Sequence, residues 1–322
     1  MQLGVVGLGR MGGNIVRRLV RSGHQCVVFD RNASAIAALA GHNMAGAHDI
    51  GQLCQRLKKP RAVWVMLPAG EATEAAVDAL GAVLEPGDSI IDGGNAFYKD
   101  DIRRARALKA KGIDYIDCGT SGGVWGLERG YSLMIGGAKD AVERLDPIFS
   151  ALAPGKGAIA ATPGRGDRDP RVERGYMHCG PSGAGRCVKM IHNGIEYGLM
   201  QAYAEGFNIL RGAASDHLPK EQRFHLDLAD IAEAWRRGSV ISSWLLDLTA
   251  MALAQDPGLT RYTGNVEDCG EGRWTVHTVP AEVLSAALYA RFRSREQADL
   301  ADKILSAMRN KFGGHLERAG AS

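Results

Sequence analysis

The chain has 322 residues, 45% of them hydrophobic and 23% charged, which allows two domains with sizeable cores and excludes a disordered protein. A formal net charge of +3, spread over scattered lysines and arginines, argues against nucleic acid as a partner and for a small anionic ligand. Six cysteines (Cys26, Cys54, Cys118, Cys179, Cys187, Cys269) lie far apart without a C-x-x-C pair, so they read as reduced thiols and no metal site is expected. Met1 leads into Leu3-Gly-Val-Val-Gly7 without a basic leader, and no apolar run reaches membrane-spanning length, so a soluble, cytoplasmic protein is expected.

A short apolar strand over residues 2–6 runs straight into Gly7-Leu8-Gly9-Arg10-Met11-Gly12 and a helical pattern over 13–21. This is G-x-G-x-x-G in the strand-turn-helix context that it needs, with glycines for the tight turn, for close approach to a pyrophosphate and for helix–strand packing. The anion would sit on the amide groups of the helix N-terminus. A second strand, 25–29, ends at Asp30-Arg31-Asn32, where a carboxylate twenty-three residues beyond Gly7 suits an adenosine ribose. Asp30 favours NAD because it would repel a 2′-phosphate, whereas Arg31 beside it could hold that phosphate, so NADP stays open.

The alternation continues with a helix over 32–41, a helical stretch 48–57, strand 62–66, helix 70–84, strand 89–92, helix 98–111 and strand 113–117. Strands alternating with helices give an α/β fold, a Rossmann-type doubly wound parallel sheet that binds its ligand at the strand C-termini. Two strand ends stand out. Leu67-Pro68-Ala69-Gly70 is an apolar, restricted turn that can floor the nicotinamide, and Asp92-Gly93-Gly94-Asn95 lets the Asn95 amide project over the sheet edge toward cofactor and substrate; both also read as ordinary Pro/Gly turns. Ser121-Gly122-Gly123 offers a hydroxyl and unhindered amides, a nest for a carboxylate, although such composition also serves plain loops. A helix over 138–152 follows, and 154–181, rich in Pro, Gly and charge, reads as a linker or extended loop. A dinucleotide-binding domain over 1–178 and an all-helical substrate and dimerisation domain over 179–322 are therefore expected.

From Pro181 a proline-free apolar pattern runs to about Leu210 as one long helix, with Ser182 as its N-cap. Lys189, His192, Asn193, Glu196 and Tyr197 fall at i, i+3, i+4, i+7 and i+8 and share one face, within roughly 140° of arc. A solvated face would carry the same residue types, but Val188, Met190, Ile191, Ile195 and Leu199 make the rest of the helix too apolar for a surface position, so the polar stripe reads as the wall of a site. Beyond it the chain reads as helices over 221–235, 239–254, 279–292 and 296–311. Between them Gly270-Glu-Gly-Arg273-Trp-Thr275, Arg291 and the terminal Arg309 and His315 suit phosphate, which Arg grips through two parallel hydrogen bonds.

With these residues in view the chain resembles the decarboxylating 6-phosphogluconate dehydrogenases of the pentose phosphate pathway, in their short form, over nearly its whole length. The specific marks are Lys189-Met-Ile-His192-Asn193-Gly-Ile-Glu196-Tyr197, Ile91-Asp-Gly-Gly-Asn95 and Ser121-Gly122-Gly123. The resemblance implies a general base at Lys189 and a general acid at Glu196. It further implies that Asn95, Ser121, Gly122, Gly123, His192, Asn193 and Tyr197 hold the sugar acid, and that Arg273, Thr275 and Arg291 serve the substrate and its phosphate. It also implies a homo-oligomer, a dimer or dimer-based tetramer, in which Arg309 and His315, with the family's spacing of six, reach into a neighbouring subunit's site. Arg273 stands where many relatives have Lys, and Asp30 where NADP-using members have an uncharged residue. The runner-up is a β-hydroxyacid dehydrogenase of the 3-hydroxyisobutyrate type that does not decarboxylate; a regulator that kept the fold and lost the chemistry is the third reading.

Overall fold

Short runs rich in Val and Ile, each closed by a glycine-containing turn, become the strands of the first of two units, Met1–His192 and Asn193–Ser322. The computed structural model describes residues 1–39, 41, 43–266 and 281–295. Its strands are β1 (Gln2–Val6), β2 (Gln25–Phe29), β3 (Met44–Gly46), β4 (Ala62–Val65), β5 (Ser89–Asp92), β6 (Asp114–Ser121), β7 (Ser132–Gly136) and β8 (Tyr176–Gly180). They form one sheet in the order β3-β2-β1-β4-β5-β6-β7-β8, in which the order of succession across the sheet reverses at β1/β4, the switch point at which an open α/β sheet receives its ligand. Every pairing is parallel except β6 with β7.

Both faces of the sheet are covered, as a doubly wound sheet requires. Leu3, Val5, Val28, Trp64 and Ile91 point to one side and pack with Ile15 and Leu19 of α1 (Arg10–Arg21) and with Phe149. Val6, Val27, Val63, Val65 and Ile90 point to the other, against Leu53 of α3 (Ile50–Gln55; the short α2 is Ala33–Ala37), Val77 and Leu80 of α4 (Glu71–Val83) and Leu108 of α5 (Tyr98–Lys109). Period-two alternation along each strand thus serves two cores at once.

The structure departs from the sequence expectations in several places. β3, three residues long, and β8, within the stretch read as a linker, are additional strands, and β7 runs antiparallel to β6. The helix expected over 138–152 is broken by Pro147 in the first turn of its second part, giving α7 (Lys139–Arg144) and α8 (Asp146–Leu152), after the short α6 (Gly126–Arg129). α9 (Ala184–Gly212) is the long helix; it starts in the first unit and ends in the second. Then come α10 (Leu228–Arg236), α11 (Trp244–Gln255) and α12 (Glu282–Arg293). The first two start later than expected because Asp227 and Ser243 cap them through their side chains, to the amides of Asp230 and Leu246. Phe207, Ala232, Leu246, Ala250 and Leu253 form the second unit's core. The helix expected over 296–311 lies outside the described residues.

The apolar positions of α9 reverse the expectation. Met190 is buried, but Val188, Ile191, Ile195 and Leu199 are 42%, 46%, 52% and 45% exposed, while Lys189, Asn193 and Tyr197 on the polar stripe are buried. No helix among the described residues is long and apolar enough to cross a membrane.

Candidate active site

The turn after β1 is built so that only glycine fits at its ends. Gly7 sits at φ +91°, and a Cβ there would lie 2.4 Å from the Met66 carbonyl oxygen; a Cβ on Gly12 would lie 1.9 Å from the Gly7 carbonyl oxygen. Gly9 between them has nothing within 4 Å of that position, which leaves its backbone open to a ligand. α1 begins there with no side-chain cap and no acidic residue in its first turn, so its first amides are available to an anion. Leu8 is buried, Met11 half-buried and Arg10 exposed.

Asp30 is tied to this turn. Its Oδ2 accepts from the Leu8 amide at 2.7 Å and its Oδ1 from the Asn32 amide at 2.8 Å. The Asn32 side chain faces α2, accepting from the Ser34 amide (3.0 Å) and hydroxyl (2.7 Å), and Arg31 is exposed. Open amides for a pyrophosphate beside a fixed carboxylate for a ribose diol are a donor and acceptor set that fits a dinucleotide.

Two further turns close on the first. A Cβ on Gly94 would lie 2.5 Å from the Leu67 carbonyl oxygen, and one on Gly93 would lie 2.3 Å from Trp64 Nε1. The turn that presents half-buried Asn95 is therefore pressed against Leu67-Pro68-Ala69, which the Thr73 hydroxyl fastens by donating to the Pro68 carbonyl at 2.7 Å. Met66, against Gly7 and Gly12, connects both to the dinucleotide turn.

β6 carries the start of α9. A Cβ on Gly119 would lie 2.4 Å from Lys189 Cβ, and one on Gly185 would lie 2.3 Å from the carbonyl oxygen of Met134 in β7, so both strands press closely on the helix and Lys189 is 5% exposed. Ser182 is not the cap that the sequence suggests: its hydroxyl donates to the Tyr115 carbonyl at 2.8 Å. Asp117 caps the helix from β6, accepting from the amides of Gly183 and, at 2.7 Å, Arg186. The Ser121 hydroxyl lies 3.3 Å from His192 Nε2, joining the Ser121-Gly122-Gly123 loop to the polar stripe. Gly122 and Gly123, at φ +148° and +53°, hold a backbone that L side chains rarely adopt.

In the second unit Asn193 and Tyr197 are buried and Glu196 is half-buried. The Arg291 guanidinium stacks 3.7 Å over the Tyr197 ring, and its Nη2 donates to Met200 Sδ at 3.6 Å. Arg273, Thr275, Arg309 and His315 lie outside the described residues.

Sequence reasoning did not anticipate a buried charge cluster at the end of β5. Asp92, Asp101, Asp117, Arg104, Arg186 and Tyr115 are all at most 4% exposed. Burial pushes Asp101 up to about 7 against the pull of Arg186, and raises Asp117 and the Tyr115 phenol too. Burial opposes the charge on Arg186, but Asp101, Asp92, Tyr115 and Asp117 outweigh it and hold the guanidinium above its usual range. The Arg186 partners Asp101 and Asp92 lie 85 and 94 residues away, so spacing carries no signal of this anchor. Burial also pushes Cys26 and Cys118 up to about 12 and Cys54 to about 11, which makes them unreactive thiols; the five described cysteines are free. Among the described residues no group of three His, Cys, Asp or Glu is placed to hold a metal ion.

Residues 2–161 match the family described as the NAD binding domain of 6-phosphogluconate dehydrogenase, and residues 185–298 match the 6-phosphogluconate dehydrogenase C-terminal domain. The chain is 38% identical over 320 residues to a putative 6-phosphogluconate dehydrogenase of Bacillus subtilis, and 39% identical over 321 residues to an NAD(+)-dependent, decarboxylating 6-phosphogluconate dehydrogenase of Haloferax volcanii; each match spans 98% of both chains. Against the decarboxylating enzyme of Salmonella typhimurium it is 36% identical, over 95% of this chain and 64% of the other. Among solved structures, Plasmodium falciparum 6-phosphogluconate dehydrogenase superposes with a TM-score of 0.76 at 27% identity, covering 100% of this chain and 67% of that one. A 3-hydroxyisobutyrate dehydrogenase of Mycobacterium tuberculosis, at 21% identity and TM-score 0.61 over 92% of this chain and 94% of that one, shares the fold.

Proposed function

Because the chain belongs to the 6-phosphogluconate dehydrogenase family of oxidoreductases, we propose that it converts 6-phospho-D-gluconate to D-ribulose 5-phosphate and carbon dioxide, reducing NAD. The observation that carries this reading is the buried Lys189, held against Gly119 and three residues before the His192 that meets Ser121. Bound nicotinamide supplies a hydride acceptor for C3 of the substrate.

Lys189, neutral, takes the proton of the C3 hydroxyl as the hydride leaves, giving a 3-keto acid and an ammonium. When the C1–C2 bond breaks and carbon dioxide departs, its electron pair moves to the C3 oxygen. The Lys189 ammonium donates its proton there, countering the charge that a divalent cation would otherwise meet. Glu196 then protonates C2, the carbon that lost carbon dioxide, while Lys189 takes back the enediol proton and leaves a ketone. The two groups are seven residues apart, a spacing that puts them on one face of a helix. Ser121, Gly122, Gly123, Asn95, His192, Asn193 and Tyr197 would hold the carboxylate and hydroxyls, and Arg273, Thr275 and Arg291 the phosphate end.

NAD is favoured over NADP because Asp30, held by two amides, presents a carboxylate that would repel a 2′-phosphate. The protein is a homo-oligomer in this reading, completed by Arg309 and His315 of a neighbouring subunit, and the exposed apolar stripe of α9 is consistent with a covered face. The test is carbon dioxide release and kcat/KM with 6-phosphogluconate and each nucleotide. Release with NAD preferred by about tenfold or more, roughly 1.4 kcal/mol, is expected. Oxidation of a 3-hydroxy acid without carbon dioxide would give the hydroxyisobutyrate-type reading instead.

A further inference from the structure

Arg186 is fully buried one turn before Lys189, and it is the largest fully buried charged side chain among the described residues. Taking such an ion out of water costs several kcal/mol even when it is paired, and an apolar residue of its size often serves stability as well. What Arg186 offers beyond stability is a rigid fork with fixed directions. Its Nε donates to Asp101 Oδ2 at 3.2 Å, and its Nη2 donates to the Asp92 carbonyl at 3.1 Å and lies 3.3 Å from Asp92 Oδ1. That same Asp92 oxygen accepts from the Gly94 amide at 3.0 Å, one residue from Asn95. The other Asp92 oxygen accepts from the Tyr115 hydroxyl at 2.8 Å and lies 3.4 Å from Arg104 Nη1. Two covalent steps and two hydrogen bonds therefore link the backbone of α9 to the Asn95 turn.

We propose that Arg186 is a positioning residue for the reaction: its fork on Asp92 and Asp101 sets where α9 presents Lys189 relative to the Gly93-Gly94-Asn95 turn. The inference rests on the assignment of Lys189 as the general base. Four anchors hold the start of α9: the Asp117 cap, the contact at Gly119, the contact of Gly185 with the β7 backbone at Met134 and the Arg186 fork. The first two fix the distance of the helix from β6. Gly183, just before the helix, also meets Ile102 and the Tyr98 carbonyl of α5, but of these anchors it is the fork that reaches Asp92 of β5, and so the fork that ties the rotation of the helix to the Asn95 turn.

Arg186→Lys keeps the charge that compensates the carboxylates and removes the fork, which separates geometry from electrostatics. We expect a folded protein with kcat lowered on the order of 10–100-fold, as a displacement of about 1 Å costs, with a KM for NAD changed by less than about threefold. The primary deuterium isotope effect on kcat, measured with substrate deuterated at C3, should rise, because a misplaced proton acceptor slows the hydride step relative to product release. A kcat within about twofold of the parent, or a lowered kcat with an unchanged isotope effect, overturns the proposal; the latter reports only fewer folded molecules. If Arg186→Lys does not fold, Asp92→Ala, which removes the side-chain oxygen shared by Arg186 and the Gly94 amide, decides by the same two readouts. Lys189→Ala is measured alongside. If it retains turnover within about tenfold, the general-base assignment itself falls; if it is inactive while Arg186→Lys matches the parent, the assignment stands and the positioning role alone fails.

Discussion

Asp30 uses both carboxylate oxygens before any ligand arrives, one on the Leu8 amide of the dinucleotide turn and one on Asn32. Substitution therefore acts on specificity and on the turn together. Asp30→Ser removes the charge that repels a 2′-phosphate and leaves exposed Arg31 to meet it, so the ratio of kcat/KM with NADP to that with NAD should rise by about tenfold or more. The two lost amide bonds should lower stability by about 1–3 kcal/mol. Kinetics with both nucleotides and a thermal melt check the two halves; an unchanged ratio removes Asp30 from the specificity argument. Asp101 makes a different prediction. Its phenolic neighbour Tyr115 lies 2.8 Å from both Asp92 and Asp101 but has one hydroxyl hydrogen, so one contact is satisfied when Asp101 is itself protonated. With its folded-state value pushed up to about 7 by burial, the native protein keeps a proton that the unfolded chain gives up above about pH 4. Stability from this group is full below that pH and is lost as pH rises through about 7, with Asp117 adding in the same sense. Glu74, held down to about 2 chiefly by its hydrogen bond from Arg103, works the other way and loses its contribution only in strong acid. Melting temperatures between about pH 5 and 8 should fall less steeply for Asp101→Asn than for the parent, and an equally steep fall would place the linkage elsewhere.

At the scale of elements, the contact between β6 and α9 is the tightest constraint on the proposed base. Gly119→Ala would put a methyl group 2.4 Å from Lys189 Cβ and 3.1 Å from the Gly185 carbonyl oxygen, and neither can move without shifting the helix. Overpacking of this kind costs about 1–3 kcal/mol, and turnover should fall on the order of 100-fold because Lys189 moves with its backbone. Steady-state kinetics on the folded variant check it; near-parental kcat would mean that α9 tolerates displacement. What could be read of these elements in the sequence divides along a physical line. Gly7, Gly9, Gly12 and Asp30 were legible because local backbone chemistry fixes them, and Lys189, His192 and Asn193 because helical spacing puts them on one face. β3 and β8 were not, since three residues, or Tyr-Met-His-Cys-Gly, carry too little alternation and are strands only because a neighbour supplies the hydrogen bonds. Arg186 was invisible as an anchor for the same reason: Asp92 and Asp101 lie 94 and 85 residues away. Pro147 did signal the break between α7 and α8, and the apolar pattern around it hid the break.

For the molecule as a whole, the apolar side of α9 is the feature that one chain leaves unexplained. Val188, Ile191, Ile195 and Leu199 follow a spacing of three, four and four, which keeps them within roughly 80° of arc, and each is about half exposed. Their residue types predict core positions, and in a single chain they are surface. A stripe of this kind along a helix whose other face carries Lys189 and Tyr197 links assembly to catalysis in the proposed homo-oligomer. If Arg309 and His315 complete a neighbour's site, separating the subunits removes substrate contacts while the dinucleotide turn, wholly within the first unit, stays intact. Ile195→Asp places a charge in the middle of the stripe at a half-exposed position, where it does little harm to the fold of the single chain. Sedimentation should show the parent as a dimer or larger and the variant as a monomer. The variant should bind NADH within about threefold of the parent and lose 6-phosphogluconate turnover by about 100-fold or more, because buried charge at an interface costs several kcal/mol. A monomeric variant with parental kcat/KM would show that each subunit carries a complete site and would remove Arg309 and His315 from it, and a variant that remains a dimer would place the subunit contact on another face.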